Sequence, residues 1–265
     1  KTRKDKVHQA ESERKELRQI WQQKAEQLDI RHPEANNRYR QVTNSKDKST
    51  LVNEATEVVS ERQVAFPRHI LLKESLRQSQ GNYSLEDLEK EINQSKSLIK
   101  TQDGRLTTEA AINREKRIIS LAQNGKDKYS PLADIETANQ QAQKLGLNKA
   151  QANALNHFAN NRDGVMLCQG DAGVGKTHTV KALKETISSE TKIRGLAPSA
   201  AAAGELNKGA DINCQTLDSY LNISIKSLPK NELIVVDEAG MISSTQVKNL
   251  LERSQQTNSR ILLIG

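Results

Sequence analysis

Aromatic side chains are scarce in this 265-residue chain: they make up 3% of it, as one Trp, two Phe and four Tyr. A protein that holds nucleic-acid bases by stacking needs several rings, so any grip on a single strand here must fall mainly on backbone phosphates. Cysteine is nearly absent. Cys168 and Cys214 have no metal-ligand spacing, and two such thiols fit a reducing cytoplasm. His8 and His32 are isolated and make poor ligand candidates. No apolar run is long enough to span a bilayer and no signal-peptide pattern opens the chain, so membrane insertion is not expected. An initial Met is missing, and the sequence stops at Ile261-Leu262-Leu263-Ile264-Gly265, which reads as a strand end. Both features predict a piece of something longer.

Charged residues are plentiful, at 28%, and the net charge is +7. Residues 1–50 carry 13 Lys/Arg against 8 Asp/Glu, residues 51–135 carry 13 against 13, and residues 136–265 carry 14 against 12. The basic excess sits at the N-terminal end. It suits a polyanion partner or an ordinary solvated helix, and charge alone does not choose.

The most informative stretch is Gly170-Asp171-Ala172-Gly173-Val174-Gly175-Lys176-Thr177. It fits G-x-x-x-x-G-K-[ST], the phosphate-binding P-loop. Glycines let the backbone curl and turn its N–H groups inward. A lysine reaches the β- and γ-phosphates, and a Thr hydroxyl serves Mg²⁺. The context agrees: Val165-Met166-Leu167-Cys168 precedes the loop as an apolar strand, and Val180, Leu183 and Ile187 follow at helical spacing.

The rest of the chain predicts three regions. Residues 1–50 read as a charged amphipathic helix over 1–29, carrying Leu17, Ile20, Trp21, Ala25 and Leu28, and then a polar linker. Residues 51–135 read as a mostly helical accessory module. Its helices lie near Leu51–Ser60, after Pro67 as a first helical residue, and after the capping-box-like Ser84-x-x-Asp87. Leu98-Ile99-Lys100 and Arg105-Leu106-Thr107 flank the turn signal Asp103-Gly104, and one more helix carries Ile112, Ile118, Ile119 and Leu121. Three helices and then a hairpin is the order of a winged helix. Such modules bind DNA or merely pack on a motor, and a net charge of zero favours packing. Residues 136–265 read as an α/β P-loop domain. In it, Leu233-Ile234-Val235-Val236 is a buried parallel strand delivering Asp237 and Glu238 at its C-terminal end, where open α/β sheets bind ligands. Asp237 would hold Mg²⁺ through its water shell and Glu238 would polarise the attacking water.

Taken together, Leu147 to Gln151, the P-loop, Ala197-Pro198 before an Ala-rich helix, Thr216-Leu217 and Asp237-Glu238-Ala239-Gly240-Met241 resemble the first half of a RecD-like superfamily 1 helicase. Residues 1–30, Ser60-Glu61-Arg62-x-Val64-x-Phe66 and Leu106-Thr107-Thr108 are similar to the stretch leading from relaxase to motor in TraI/TrwC-type (MobF) conjugative relaxase–helicases. The resemblance implies a RecA-like parallel sheet, truncated here, behind the helical module and charged N-terminal helix. It implies ATP and Mg²⁺ as cofactors, single-stranded DNA as partner, 5′→3′ movement coupled to ATP hydrolysis during plasmid transfer, and contact with type IV secretion machinery.

By the same resemblance, Gln151 would meet the adenine edge. Gly170, Gly173, Gly175, Lys176, Thr177 and His178 would line the nucleotide site, with Thr177 and Asp237 serving the metal. Lys176, Asp237 and Glu238 would carry catalysis. Ala197, Pro198 and Ser199 would lie near the DNA path, and Thr216 would contact its backbone. The family's strand-cutting tyrosine would lie upstream of Lys1, and the second RecA-like domain with its arginines beyond Gly265. Such arginines are worth about 10³–10⁵ in rate in related systems, so these residues by themselves are expected to turn ATP over poorly. A free-standing RecD-like helicase and a catalytically silent DNA-binding scaffold remain the alternatives.

Overall fold

The computed structural model describes residues 46–171 and 173–265, together with Lys24. The expected N-terminal helix with Trp21, and the linker as far as Ser45, lie outside the described residues.

Three helices open the described chain: α1 (Lys48–Arg62), α2 (Arg68–Ser79) and α3 (Leu85–Gln94). Helix α1 begins inside the stretch that reads as linker. Asp47 caps it by accepting the Thr50 N–H at 2.6 Å, and Leu51, Val52, Ala55 and Val59 form its buried stripe. Val58, though apolar, is exposed. Pro67 is the cap of α2 rather than its first helical residue, with extended backbone (ψ 143°). Ser84 caps α3 as its spacing predicts, accepting the Asp87 N–H at 3.1 Å.

A hairpin follows, β1 (Leu98–Lys100) against β2 (Leu106–Thr108), antiparallel. Gly104 closes its turn with φ +82°, a left-handed conformation that glycine adopts without a Cβ clash. Phe66, Leu71 and Leu88, all fully buried, centre the cluster that joins these three helices to the hairpin. Phe66 also exchanges backbone hydrogen bonds with Leu106.

Helix α4 (Glu109–Asn124), capped by Thr108, carries the chain onward. The sequence groups it with the accessory module, yet Leu121 and Ile118 pack in a cluster with the main sheet and its helices. Ile119, one of the apolar residues that mark this helix in the sequence, is exposed. Then come α5 (Ile135–Lys144), α6 (Lys149–Asn160), β3 (Val165–Cys168), α7 (Lys176–Thr186), β4 (Ile193–Ala197), α8 (Ala200–Ala210), β5 (Asn213–Thr216), α9 (Leu217–Asn222), β6 (Leu233–Val236), α10 (Ser244–Gln256) and β7 (Arg260–Ile264).

The five strands β3 to β7 form one parallel sheet in the order β3-β7-β6-β4-β5. Side chains alternate across it, as strand geometry requires. Leu233 and Val235 face the layer built by α5, α6, α7 and α8. Ile234 and Val236 face the layer of α4, α9 and α10. Both faces are covered, so β6 is apolar throughout rather than alternating. The fold is thus a RecA-like α/β arrangement. Strand β5 has no counterpart in the sequence reading: Asn-Cys-Gln-Thr lacks an apolar pattern because it lies at the edge of the sheet.

Candidate nucleotide site

Strand register decides where the candidate residues meet. Cys168 stands opposite Ile264 and Val236 opposite Leu263, so β3, β7 and β6 end within one residue of each other. The P-loop leaves β3 and Asp237 leaves β6 at the same end of the sheet, with β7 between them. At about 4.8 Å per strand this sets the two about 10 Å apart, a separation that a phosphate–metal pair can fill. Gly265 sits between them. Its carbonyl accepts the Gly170 N–H at 3.0 Å, and its N–H donates to Cys168 at 3.0 Å.

The loop is shaped for an anion. Gly173 and Gly175 adopt φ +80° and +84°. A Cβ at Gly175 would fall 2.3 Å from the Gln151 amide nitrogen and displace it, and at this φ any other residue is strained. Helix α7 starts at Lys176 behind Gly175, with no side-chain cap. Helices α5, α6, α8, α9 and α10 are each capped by a side chain, from Asp134, Asn148, Ser199, Thr216 and Ser243. The first N–H groups of α7 therefore point outward with the positive end of the helix dipole. Lys176 lies back across the loop, its ammonium donating to the carbonyls of Gly170 (2.5 Å) and Asp171 (3.1 Å). That donor set (glycine backbone, helix N-terminus, ammonium) fits a polyphosphate. Thr177 and Asp237 could hold its Mg²⁺.

His178 is exposed on the first turn of α7. Gln151, which the resemblance places at the adenine edge, is hydrogen-bonded at both ends of its amide. Its oxygen accepts the Asn148 N–H at 3.1 Å, which completes a capping box on α6. Its amide nitrogen donates to the Val174 carbonyl at 3.0 Å. Both ends of the side chain support the loop rather than reaching into open space. The sequence signal was present as Asn148-x-x-Gln151, a capping-box spacing.

Asp237 and Glu238 sit as expected after β6. Asp237 anchors the strand by donating its N–H to the Leu196 carbonyl at 2.9 Å. Its carboxylate accepts the Glu238 N–H at 2.9 Å. Glu238 adopts φ +53°, a left-handed conformation that costs a non-glycine residue about 1–2 kcal/mol. The turn directs the Glu238 side chain into solvent at the sheet end, while Asp237 is half-buried.

Residues expected near DNA lie farther along the same end of the sheet, past β6. Ala197 pairs with Thr216 across β4 and β5. Pro198 is half-buried and Ser199 exposed. Ser199 caps α8, accepting the Ala202 N–H at 3.1 Å. Thr216 caps α9, accepting the Ser219 N–H at 3.2 Å. Both hydroxyls thus have a local structural task.

Cys214, also on β5, is half-buried behind this edge. Burial first, and then the Asp237 charge, push its thiol up to about 11. Burial likewise raises Cys168 above the ordinary thiol range. Neither thiol is activated.

No helix among the described residues is long and apolar enough to cross a membrane. Residues 146–265 match the AAA domain family. A probable conjugal transfer protein TraA from Sinorhizobium fredii (strain NBRC 101917 / NGR234) is 32% identical over 123 residues, 45% of this chain and 11% of that protein. A conjugal transfer protein TraA from Agrobacterium fabrum (strain C58 / ATCC 33970) is 32% identical over 100 residues, 36% of this chain and 9% of that protein. The chain therefore spans about a tenth of the curated relatives it matches. Residues 146–265 thus match the AAA domain family, and the chain is similar over 123 and 100 residues to two conjugal transfer proteins.

Proposed function

We propose that this chain is the front part of an ATP-driven DNA helicase motor in a conjugative relaxase–helicase. The observation that carries the reading is that β3 and β6 end within one residue of each other. This brings an uncapped, glycine-shaped P-loop to the same end of the sheet as Asp237 and Glu238. In this reading the loop N–H groups and Lys176 hold the nucleotide phosphates. Mg²⁺, when bound, neutralises charge that develops on the transferred phosphoryl group. Thr177 and Asp237 hold that ion, and Glu238 orients the attacking water.

Single-stranded DNA runs across the β4–β5 edge, past Pro198, Ser199 and Thr216, and the motor moves along it 5′→3′ as ATP is hydrolysed. Residues 51–135 form an accessory module and residues 1–50 the end of a relaxase domain. The parent protein works in the cytoplasm with the conjugation (type IV secretion) machinery. The similarity to two conjugal transfer proteins supports the setting.

The test is ATP hydrolysis by the complete protein, with and without single-stranded DNA. Stimulation that disappears in Lys176→Ala, with DNA binding kept, is the expected result. DNA binding without any ATP hydrolysis in the wild type would favour a silent scaffold instead.

A further inference from the structure

Helix α8 contains a glycine that its backbone does not need. Gly209 is the tenth residue of an eleven-residue helix, and its φ is not positive. The left-handed residue that ends α8 is Asp211, with φ +53°. A glycine inside a helix costs about 0.5–1 kcal/mol relative to alanine, and capping does not account for it here.

What does account for it is a close approach to the nucleotide site. A Cβ on Gly209 would lie 2.6 Å from Cγ2 of Thr177 and 3.6 Å from its Cβ. Gly204, one and a half turns earlier, has nothing within 4 Å of the same position. The contact is therefore particular to Gly209.

Neither backbone can move away easily. Leu206 and Ala210 of α8 are buried with Val180 and Leu183 of α7 in one cluster. Lys184 of α7 forms an ion pair with Asp211 at 2.6 Å and also donates to the Asp211 carbonyl. A methyl group at residue 209 must then be relieved by turning Thr177 about χ1. Threonine carries its methyl and hydroxyl on the same carbon, so that turn moves the hydroxyl as well.

We propose that Gly209 is a positioning residue for the nucleotide site: its missing side chain keeps Thr177 in the rotamer that presents its hydroxyl to Mg²⁺. This rests on the P-loop reading above and adds to it a constraint from a different helix. The constraint is steric, so it acts on the Thr177 methyl and disappears when that methyl is removed.

The test is a two-by-two comparison in the 265-residue chain: Gly209→Ala made in the wild type and in a Thr177→Ser background. The readout is affinity for a fluorescent methylanthraniloyl-ATP, in Mg²⁺ and in EDTA, with circular dichroism on every variant. In the wild-type background Gly209→Ala should weaken Mg²⁺-dependent binding by about tenfold or more, and leave binding in EDTA little changed. In the Thr177→Ser background the same change should cost less than about threefold.

Equal losses in both backgrounds, equal losses in Mg²⁺ and EDTA, or no loss at all would overturn the proposal. If Gly209→Ala does not fold, the same comparison is read on folding. Recovery with Thr177→Ser supports the steric contact, and failure to recover overturns it. A folded wild-type chain that binds no nucleotide is a separate result: it defeats the P-loop reading and this proposal with it.

Discussion

Gln151 and Val174 are joined by a hydrogen bond of 3.0 Å, from the glutamine amide to the P-loop carbonyl. The other end of the same amide closes the capping box at the start of α6. One side chain therefore ties a helix N-terminus to the phosphate loop.

The two ends can be separated by mutation. Gln151→Glu keeps an acceptor for the Asn148 N–H but loses the donor to Val174. It should leave thermal stability nearly unchanged and weaken Mg·ATP binding roughly three- to tenfold, the worth of about one hydrogen bond. Gln151→Ala loses both and should also cost about 1 kcal/mol of stability. Calorimetric titration and urea unfolding read the two effects, and equal affinity in wild type and Gln151→Glu would show that the contact does not support the loop.

Arg194 and Glu232 form a forked ion pair between β4 and the start of β6, at 2.9 and 3.1 Å. Glu232 is 3% exposed, and Arg194 lies over the Tyr220 ring. Glu232→Ala strands a guanidinium with little water around it and should destabilise by about 3–5 kcal/mol. Replacing both partners with apolar residues should cost much less. Urea unfolding distinguishes these outcomes; a single substitution that costs under about 1 kcal/mol would mean that solvent already screens the pair.

Gly195 on β4 pairs with Cys214 on β5, and a Cβ there would fall 2.2 Å from Cys214 Sγ and 3.0 Å from Leu206. Gly195→Ala should overpack this layer and cost about 1–3 kcal/mol. Adding Cys214→Ala removes the sulfur and should return much of that loss. A loss unaffected by Cys214→Ala would place the strain elsewhere.

The Cys214 thiol offers a pH test. Its pKa of about 11 is above the ordinary 9.0, so the folded state holds this proton more tightly than the unfolded chain does. The resulting stabilisation is complete below about pH 9 and is lost as pH rises through about 11. Wild type should therefore lose stability relative to Cys214→Ala between those values. Thiol-reactive dyes should also modify Cys214 slowly at pH 8 unless the chain is unfolded. Parallel stability curves and prompt labelling of the folded chain would contradict this.

The parts of the fold that were legible in the sequence are those with local signals. The P-loop, β6 with its acidic end, and the cap at Ser84 all announce themselves within a few residues. Strand β5 did not, because Asn213–Thr216 is an edge strand held by pairing with β4 rather than by an apolar pattern. The start of α1 was hidden because Asp47 looks like any other polar linker residue until its stripe is seen to be buried. Gly209 and the Arg194–Glu232 pair join residues 32 and 38 positions apart in sequence, and no local pattern encodes such contacts. For Gln151 the capping-box spacing was visible, but its bond to Val174 depends on the tertiary approach of α6 to the loop.

The most direct test of the central claim is calorimetric titration of Mg·ATP into the folded 265-residue chain and its Lys176→Ala variant. The account predicts one Mg²⁺-dependent site per chain in the wild type, and its loss in Lys176→Ala with the fold kept. No binding by a folded wild-type chain, or the same binding in both, would contradict it.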